Sequence, residues 1–154
     1  MSQEDFLESY LEPLLHKLSK ENKFTVLMGD FNINLLKYDC CKYSAAFHDL
    51  LASHSFQPLI LQPTRVTLTS QTLIDNIFSN SATHKSKNGN LTSSISDHFA
   101  QFSIITDYNH KRKVRKKCYI FVNIATLKIE NLRSYLALYV GRTFLKMKMI
   151  RIDW

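Results

Sequence analysis

The chain has 154 residues, room for one domain with a substantial core and little room for a second. Its composition, 45% hydrophobic and 12% aromatic with three Gly and three Pro, excludes a disordered or low-complexity protein. The formal charge of +7 is divided unevenly: residues 1–109 hold eight Lys/Arg against eleven Asp/Glu, whereas residues 110–154 hold twelve against two. Such asymmetry fits either a nucleic-acid-facing tail or a solvated charge run.

In chain order, Phe6, Leu7, Tyr10, Leu11, Leu14, Leu15 and Leu18 recur at three- and four-residue steps and predict an amphipathic helix. Ser2 with Asp5 three residues on forms a capping box at its start. Pro13 removes a backbone donor inside it, so a kink is expected there. Phe24 to Met28 is a short apolar run ending at Gly29, the pattern of a buried strand. Tyr43, Phe47, Leu50, Leu51 and His54 predict a second helix, and Pro58 to Leu61 begin an extended stretch that Pro63 interrupts.

Leu73, Ile74, Ile77 and Phe78 suit a strand, as do Phe99, Phe102, Ile104 and Ile105; the polar segment from Ser79 to Asn90 between them reads as a loop. From His110 the chain opens with the basic run Lys111 to Lys117. It continues through Ile129, Leu132, Tyr135, Leu136 and Tyr139, spaced as on a further amphipathic helix. Helices alternating with short apolar strands predict an α/β layered domain.

Cys40, Cys41 and Cys118 have no metal-ligand spacing, and an odd count without a secretory signal predicts reduced thiols and an intracellular protein, nuclear or cytoplasmic. No apolar run reaches the length of a membrane span, so no membrane partner is expected. The sequon Asn90-Leu91-Thr92 is then expected to stay unmodified.

Three short motifs fall at predicted strand ends: Gly29-Asp30-Phe31-Asn32, Ile74-Asp75-Asn76 and Ser96-Asp97-His98. Taken singly, Asp-x-Asn after Gly is most often a turn whose side chains bond their own backbone. Likewise, an Asp-His pair is most often a surface feature. Together they place three carboxylates, a carboxamide and an imidazole where strand ends of a layered α/β domain converge. Hydrolysis of a phosphodiester by water needs that set: metal ligands, a group to orient and deprotonate water, and donors for charge growing on phosphate oxygens.

From Phe24 to Ile105 the chain carries GDFN, Pro63-Thr64-Arg65, TLIDNIFSN at 72–80 and SDHFAQF at 96–102. In this order the motifs closely resemble the endonuclease/exonuclease/phosphatase superfamily, and within it the apurinic-type endonuclease domain of non-LTR, LINE-like retrotransposons, over roughly residues 5–106. The resemblance implies that Asp30 orients and activates water and that Asn32 contacts the scissile phosphate. It also implies that His98 contacts the phosphate oxygens with Asp75 hydrogen-bonded to it, and that Asp97 is a ligand of Mg²⁺, or of Mn²⁺ in its place. A carboxylate beside His98 favours the imidazolium, a cationic donor suited to phosphate.

The family pattern also includes an Asn on a first strand, a metal-binding Glu and a Tyr ahead of GDFN, but only 29 residues precede Asp30 here. Glu4, Glu8, Glu12, Glu21 and Tyr10 are the acids and tyrosine in that stretch, and the Tyr-x-Asp-Asp signature of a reverse transcriptase is absent from the chain. The expected protein is therefore the C-terminal half of a DNase-I-like fold, a partial four-layer α/β/β/α sandwich over residues 1–106, followed by a basic tail over 107–154. Its expected function is that of a retrotransposon-derived, Mg²⁺-dependent DNA endonuclease fragment, inactive or weakly active alone. The rival is a nucleic-acid-binding remnant without catalysis. A missing sheet would leave an apolar face exposed, so self-association is expected.

Overall fold

The structure, a computed structural model, describes residues 2–21, 23–81, 85–92, 96–107, 117–123, 135–140 and 147–151. The first helix begins as α1 (Gln3–Phe6), with Ser2 Oγ accepting from Asp5 N–H and the Asp5 carboxylate accepting from Ser2 N–H, the reciprocal capping box. It passes through a π-helical stretch (Leu7–Leu11) into α2 (Glu12–Glu21). Instead of breaking at Pro13, the helix changes register just before it: Glu12 N–H donates to Leu7 O, five residues back. A π-type turn is one of the ways a helix absorbs a proline. A 3₁₀ turn (Leu35–Lys37) and α3 (Lys42–Ser53) complete the helices of the described residues.

A five-stranded sheet runs in the order β10 (Met147–Arg151), β9 (Tyr135–Val140), β1 (Thr25–Asp30), β5 (Asp75–Ser79), β2 (Gln57–Pro58). A short hairpin joins β3 (Arg65–Val66) to β4 (Gln71–Thr72), and a third sheet pairs β6 (Lys85–Leu91), β7 (Ala100–Asp107) and β8 (Lys117–Asn123). The result is a mixed α/β architecture of several sheets and helices, in keeping with a DNase-I-like fold.

The two-residue period of β1 and β5 sorts their side chains onto two buried faces. Leu27 and Phe78 face the helices, packing with Phe6, Leu11, Leu15 and Leu18, with Phe47 and Leu51 of α3, and with Phe31 and Phe56. Val26, Met28 and Ile77 face the other way, against Ile60, Leu73 and Ile105 of β7. On the helical side Phe31, Phe47 and Phe78 stack edge-on or tilted, ring centroids 5.2 to 5.7 Å apart.

Polar pins fix the pairing. Asn80 accepts from Thr25 N–H at 2.8 Å and donates to Lys23 O, tying the end of β5 to the start of β1. Asn76, buried to 1% exposure, donates to Ile60 O and accepts from the N–H groups of Ile60 and Ile77.

Two expectations are corrected. Lys85–Leu91, read as part of a polar loop, is strand β6, paired along its whole length with β7. It is a largely exposed edge strand of Lys, Ser and Asn, so it has no apolar alternation to reveal it, and such charges are what protects an edge. Tyr135–Val140, read as part of a helix, is strand β9 beside β1, with Val26 opposite Tyr139. A short apolar run does not by its periodicity distinguish strand from buried helix. Ile129 and Leu132 of that expected helix, and residues 111–116 of the basic run, lie outside the described residues.

Asn90, the acceptor of the sequon, has its amide nitrogen donating to Pro63 O at 2.8 Å in a half-buried setting. Among the described residues no helix is long and apolar enough to cross a membrane.

Replacing Asn76 by Ala strands the Ile60 and Ile77 backbone groups in the core, and we expect a loss of about 2 kcal/mol in denaturant unfolding. Leu68→Ala, at a fully exposed position, is the matched control and should leave the midpoint unchanged.

Candidate active site

The register of β1 and β5 places Asp30 directly opposite Asp75. By strand parity both project on the same face as Val26, Met28 and Ile77, at the end of the apolar seam between the two larger sheets. Like charges facing each other across a pair are unfavourable for a sheet, so apolar packing alone does not account for the juxtaposition.

The third member comes from the segment that enters β7. His98 Nδ1 lies 3.0 Å from Asp75 Oδ2 and 3.3 Å from Oδ1, and Asp75 is fully buried. Asp30, Asp75 and His98 each offer a ligand atom, all within 4.8 Å of one another: a cluster able to coordinate a divalent metal ion. The oxygens of the two carboxylates suit a hard ion.

Thr64, also fully buried, organises these segments. Its Oγ1 accepts from the N–H groups of both Ile74 and Asp75, and its carbonyl accepts from Phe99 N–H at 2.7 Å. Next to it Arg65 pairs with His98 through a β-bridge, and Val66 N–H donates to Asp97 O. One short segment thus sets the positions of Asp75 and of Asp97-His98.

Asp30 and Asn32 form a local turn: Asn32 N–H donates to Asp30 Oδ1 at 3.0 Å. Asn32 has φ of 51°, in the left-handed region that Asn tolerates better than most residues. Its side chain is exposed. Asp97 lies outside the cluster of three, and its Oδ2 accepts from Arg65 Nε at 2.7 Å.

The acids of the N-terminal helix are elsewhere. Glu4, Glu8 and Glu12 line a pocket with Lys42, Tyr43 and Leu50 between that helix and α3, and Glu21 pairs with Lys23. The helix packs on the face of β1 and β5 opposite to the one bearing the two carboxylates.

Electrostatics follow from this crowding. Burial, and then the charge of Asp75, push the Asp30 carboxyl up to about 6, against the lowering effect of the Asn32 N–H, His98 and Arg65. The hydrogen bond that His98 donates to Asp75 raises its pKa, against burial, and so favours the imidazolium. Asp97 is lowered, chiefly by its bond to Arg65.

Thr64 and Arg65 entered the sequence reading only as parts of a motif, without roles. Their only signal was the Pro63-Thr64-Arg65 motif itself, since a proline restricts the residue before it and not those that follow. Asn34, whose Oδ1 accepts from Leu36 and Leu73 N–H groups, had no sequence signal beyond its proximity to Asn32.

Because the fold raises Asp30, its contribution to stability is full below the ordinary carboxylate range and is lost as pH rises through about 6. Asp30→Asn should therefore stabilise the chain above pH 6 by on the order of 2 kcal/mol, with the gain vanishing near pH 4, read from thermal melts across that range. His98→Ala should leave the buried Asp75 carboxylate unpaired and lower stability by about 3 kcal/mol at neutral pH. Asp97→Ala, which breaks an exposed ion pair, should leave the melt nearly unchanged.

Residues 2–102 match the model of a family described as endonuclease-reverse transcriptase. No curated protein and no solved structure matches the chain. The family match covers the segment that supplies Asp30, Asp75 and His98. The chain therefore belongs to the endonuclease-reverse transcriptase family, and this region holds an endonuclease/exonuclease/phosphatase-superfamily domain of the kind found in LINE-type retrotransposon endonucleases.

Proposed function

We propose that the chain derives from a retrotransposon endonuclease that hydrolyses DNA phosphodiester bonds, and that it represents the C-terminal half of that domain. The observation that carries this reading is the convergence of Asp30, Asp75 and His98 at strand ends. In this reading residues 1–106 are the nuclease unit. Its helices, the β1–β5 sheet and the β6–β7 sheet are successive layers of a four-layer α/β/β/α sandwich, and residues 107–154 are a basic extension.

The residues divide the chemistry among them. Asp30, with its raised pKa, accepts a proton from the attacking water as the new oxygen–phosphorus bond forms. His98, held by Asp75, donates hydrogen bonds to the phosphate oxygens, and Asn32 supplies a further donor beside it. The bond from phosphorus to the sugar oxygen breaks, and that oxygen takes up a proton. Asp97, with the cluster carboxylates, would hold Mg²⁺ or Mn²⁺, whose charge offsets that growing on the phosphate.

Turnover by this chain alone is weak in this reading, because the helical acids Glu4, Glu8 and Glu12 lie across the sheet from the cluster and do not complete it. The second reading, nucleic-acid binding without catalysis, rests on the twelve Lys/Arg of residues 110–154.

Supercoiled plasmid distinguishes the two. The endonuclease reading expects slow nicking that requires Mg²⁺, is abolished by EDTA and falls to background in Asp30→Ala and His98→Ala. Binding that weakens steeply with salt, with no nicking above the variants, would favour the second reading.

A further inference from the structure

Arg65 stands beside the cluster with a role that neither the fold nor the proposed chemistry uses up. Its backbone is fixed twice, by pairing with Thr72 in the β3–β4 hairpin and by the bridge to His98. Its side chain is anchored at one point, Nε to Asp97 Oδ2 at 2.7 Å, and is 44% exposed.

A guanidinium has five N–H donors, of which Nε supplies one. Among the described residues, the terminal nitrogens of Arg65 have no hydrogen-bond acceptor. The side chain is thus oriented by a carboxylate at its base, while its planar, two-nitrogen end has no acceptor among the described residues and the side chain as a whole stays partly exposed.

The charge also reaches the cluster, since Arg65 is among the groups that lower the Asp30 carboxyl against burial. A surface ion pair whose purpose was stability would contribute little at this exposure. An oriented guanidinium edge, by contrast, matches the two non-bridging oxygens of a phosphodiester in bidentate fashion, which a lysine ammonium does not.

We propose that Arg65 is a phosphate-binding residue: with Asp97 positioning it, its terminal nitrogens grip the phosphodiester group lying against the Asp30, Asp75 and His98 cluster. This rests on the nucleic-acid reading of the site given above. It adds a ground-state contact on the strand, separate from the groups that act on water.

The test is binding of a fluorescent DNA duplex to the full chain in EDTA, followed by anisotropy over a range of salt. Arg65→Ala should weaken binding roughly tenfold and reduce the slope of log affinity against log salt by about 1. Arg65→Lys should restore the slope but only part of the affinity. Asp97→Asn, which removes the negative charge of the pair, keeps an oxygen to accept from Nε and leaves the cation, should retain the wild-type slope. Arg65→Ala binding as the wild type does, or Asp97→Asn losing as much slope as Arg65→Ala, would overturn the proposal, the latter by showing that only the ion pair matters. A wild-type chain that binds no DNA at all would overturn the nucleic-acid reading itself.

Discussion

Asp30 and Asp75 are held face to face by the antiparallel register of β1 and β5, and most of the molecule serves to maintain that register. A slip of one residue would turn the carboxylates toward the helices and their apolar neighbours toward the cluster. Two buried faces oppose such a slip at once: Leu27 and Phe78 in the aromatic layer under the helices, and Val26, Met28 and Ile77 in the seam toward β7. Asn80 at one end and Asn76 near the other add directional bonds that only one pairing satisfies. The repulsion concentrated at Asp30 is thus borne by packing distributed along the strands.

The segment from Pro63 to Arg65 performs the complementary task on the other side of the site. It has almost no regular structure of its own, yet its polar atoms reach three strands. Asn90 of β6 binds Pro63, Thr64 receives the start of β5, and Arg65 adjoins the residues that lead into β7. His98 therefore meets Asp75 because both segments are referenced to the same Thr64, in addition to their direct contact. Irregular backbone on a rigid support is where sites are commonly built.

Much of this was legible in the sequence. The capping box at Ser2, the apolar run before Gly29, the helix around Phe47 and the strand around Phe78 follow from local periodicity and turn chemistry, which act over a few residues. The pairing of His98 with Asp75 was accessible only through the resemblance, because no spacing rule joins residues that far apart. Lys85–Leu91 escaped notice because an edge strand made of Lys, Ser, Asn and Gly has no buried face to mark it. The Tyr135–Val140 strand was misread because its apolar run is compatible with either structure, and its choice is made by the free edge of β1. The bond between Asp97 and Arg65 was not foreseen either, because it depends on a hairpin the sequence did not reveal.

The central position of β1 has a consequence for how the protein is made. Val26 pairs on one side with Ser79 and on the other with Tyr139, so β1 acquires both neighbours only after much later parts of the chain are made. Closing loops of that length costs entropy before any cross-strand bond compensates, and topologies dominated by such distant pairings fold slowly. Until the segments around Ser79 and then Tyr139 have left the ribosome, Thr25–Met28 is an apolar ribbon without its cross-strand partners. Its exposure to chaperones and to other nascent chains is therefore set by the rate of translation as much as by the stability of the finished sheet.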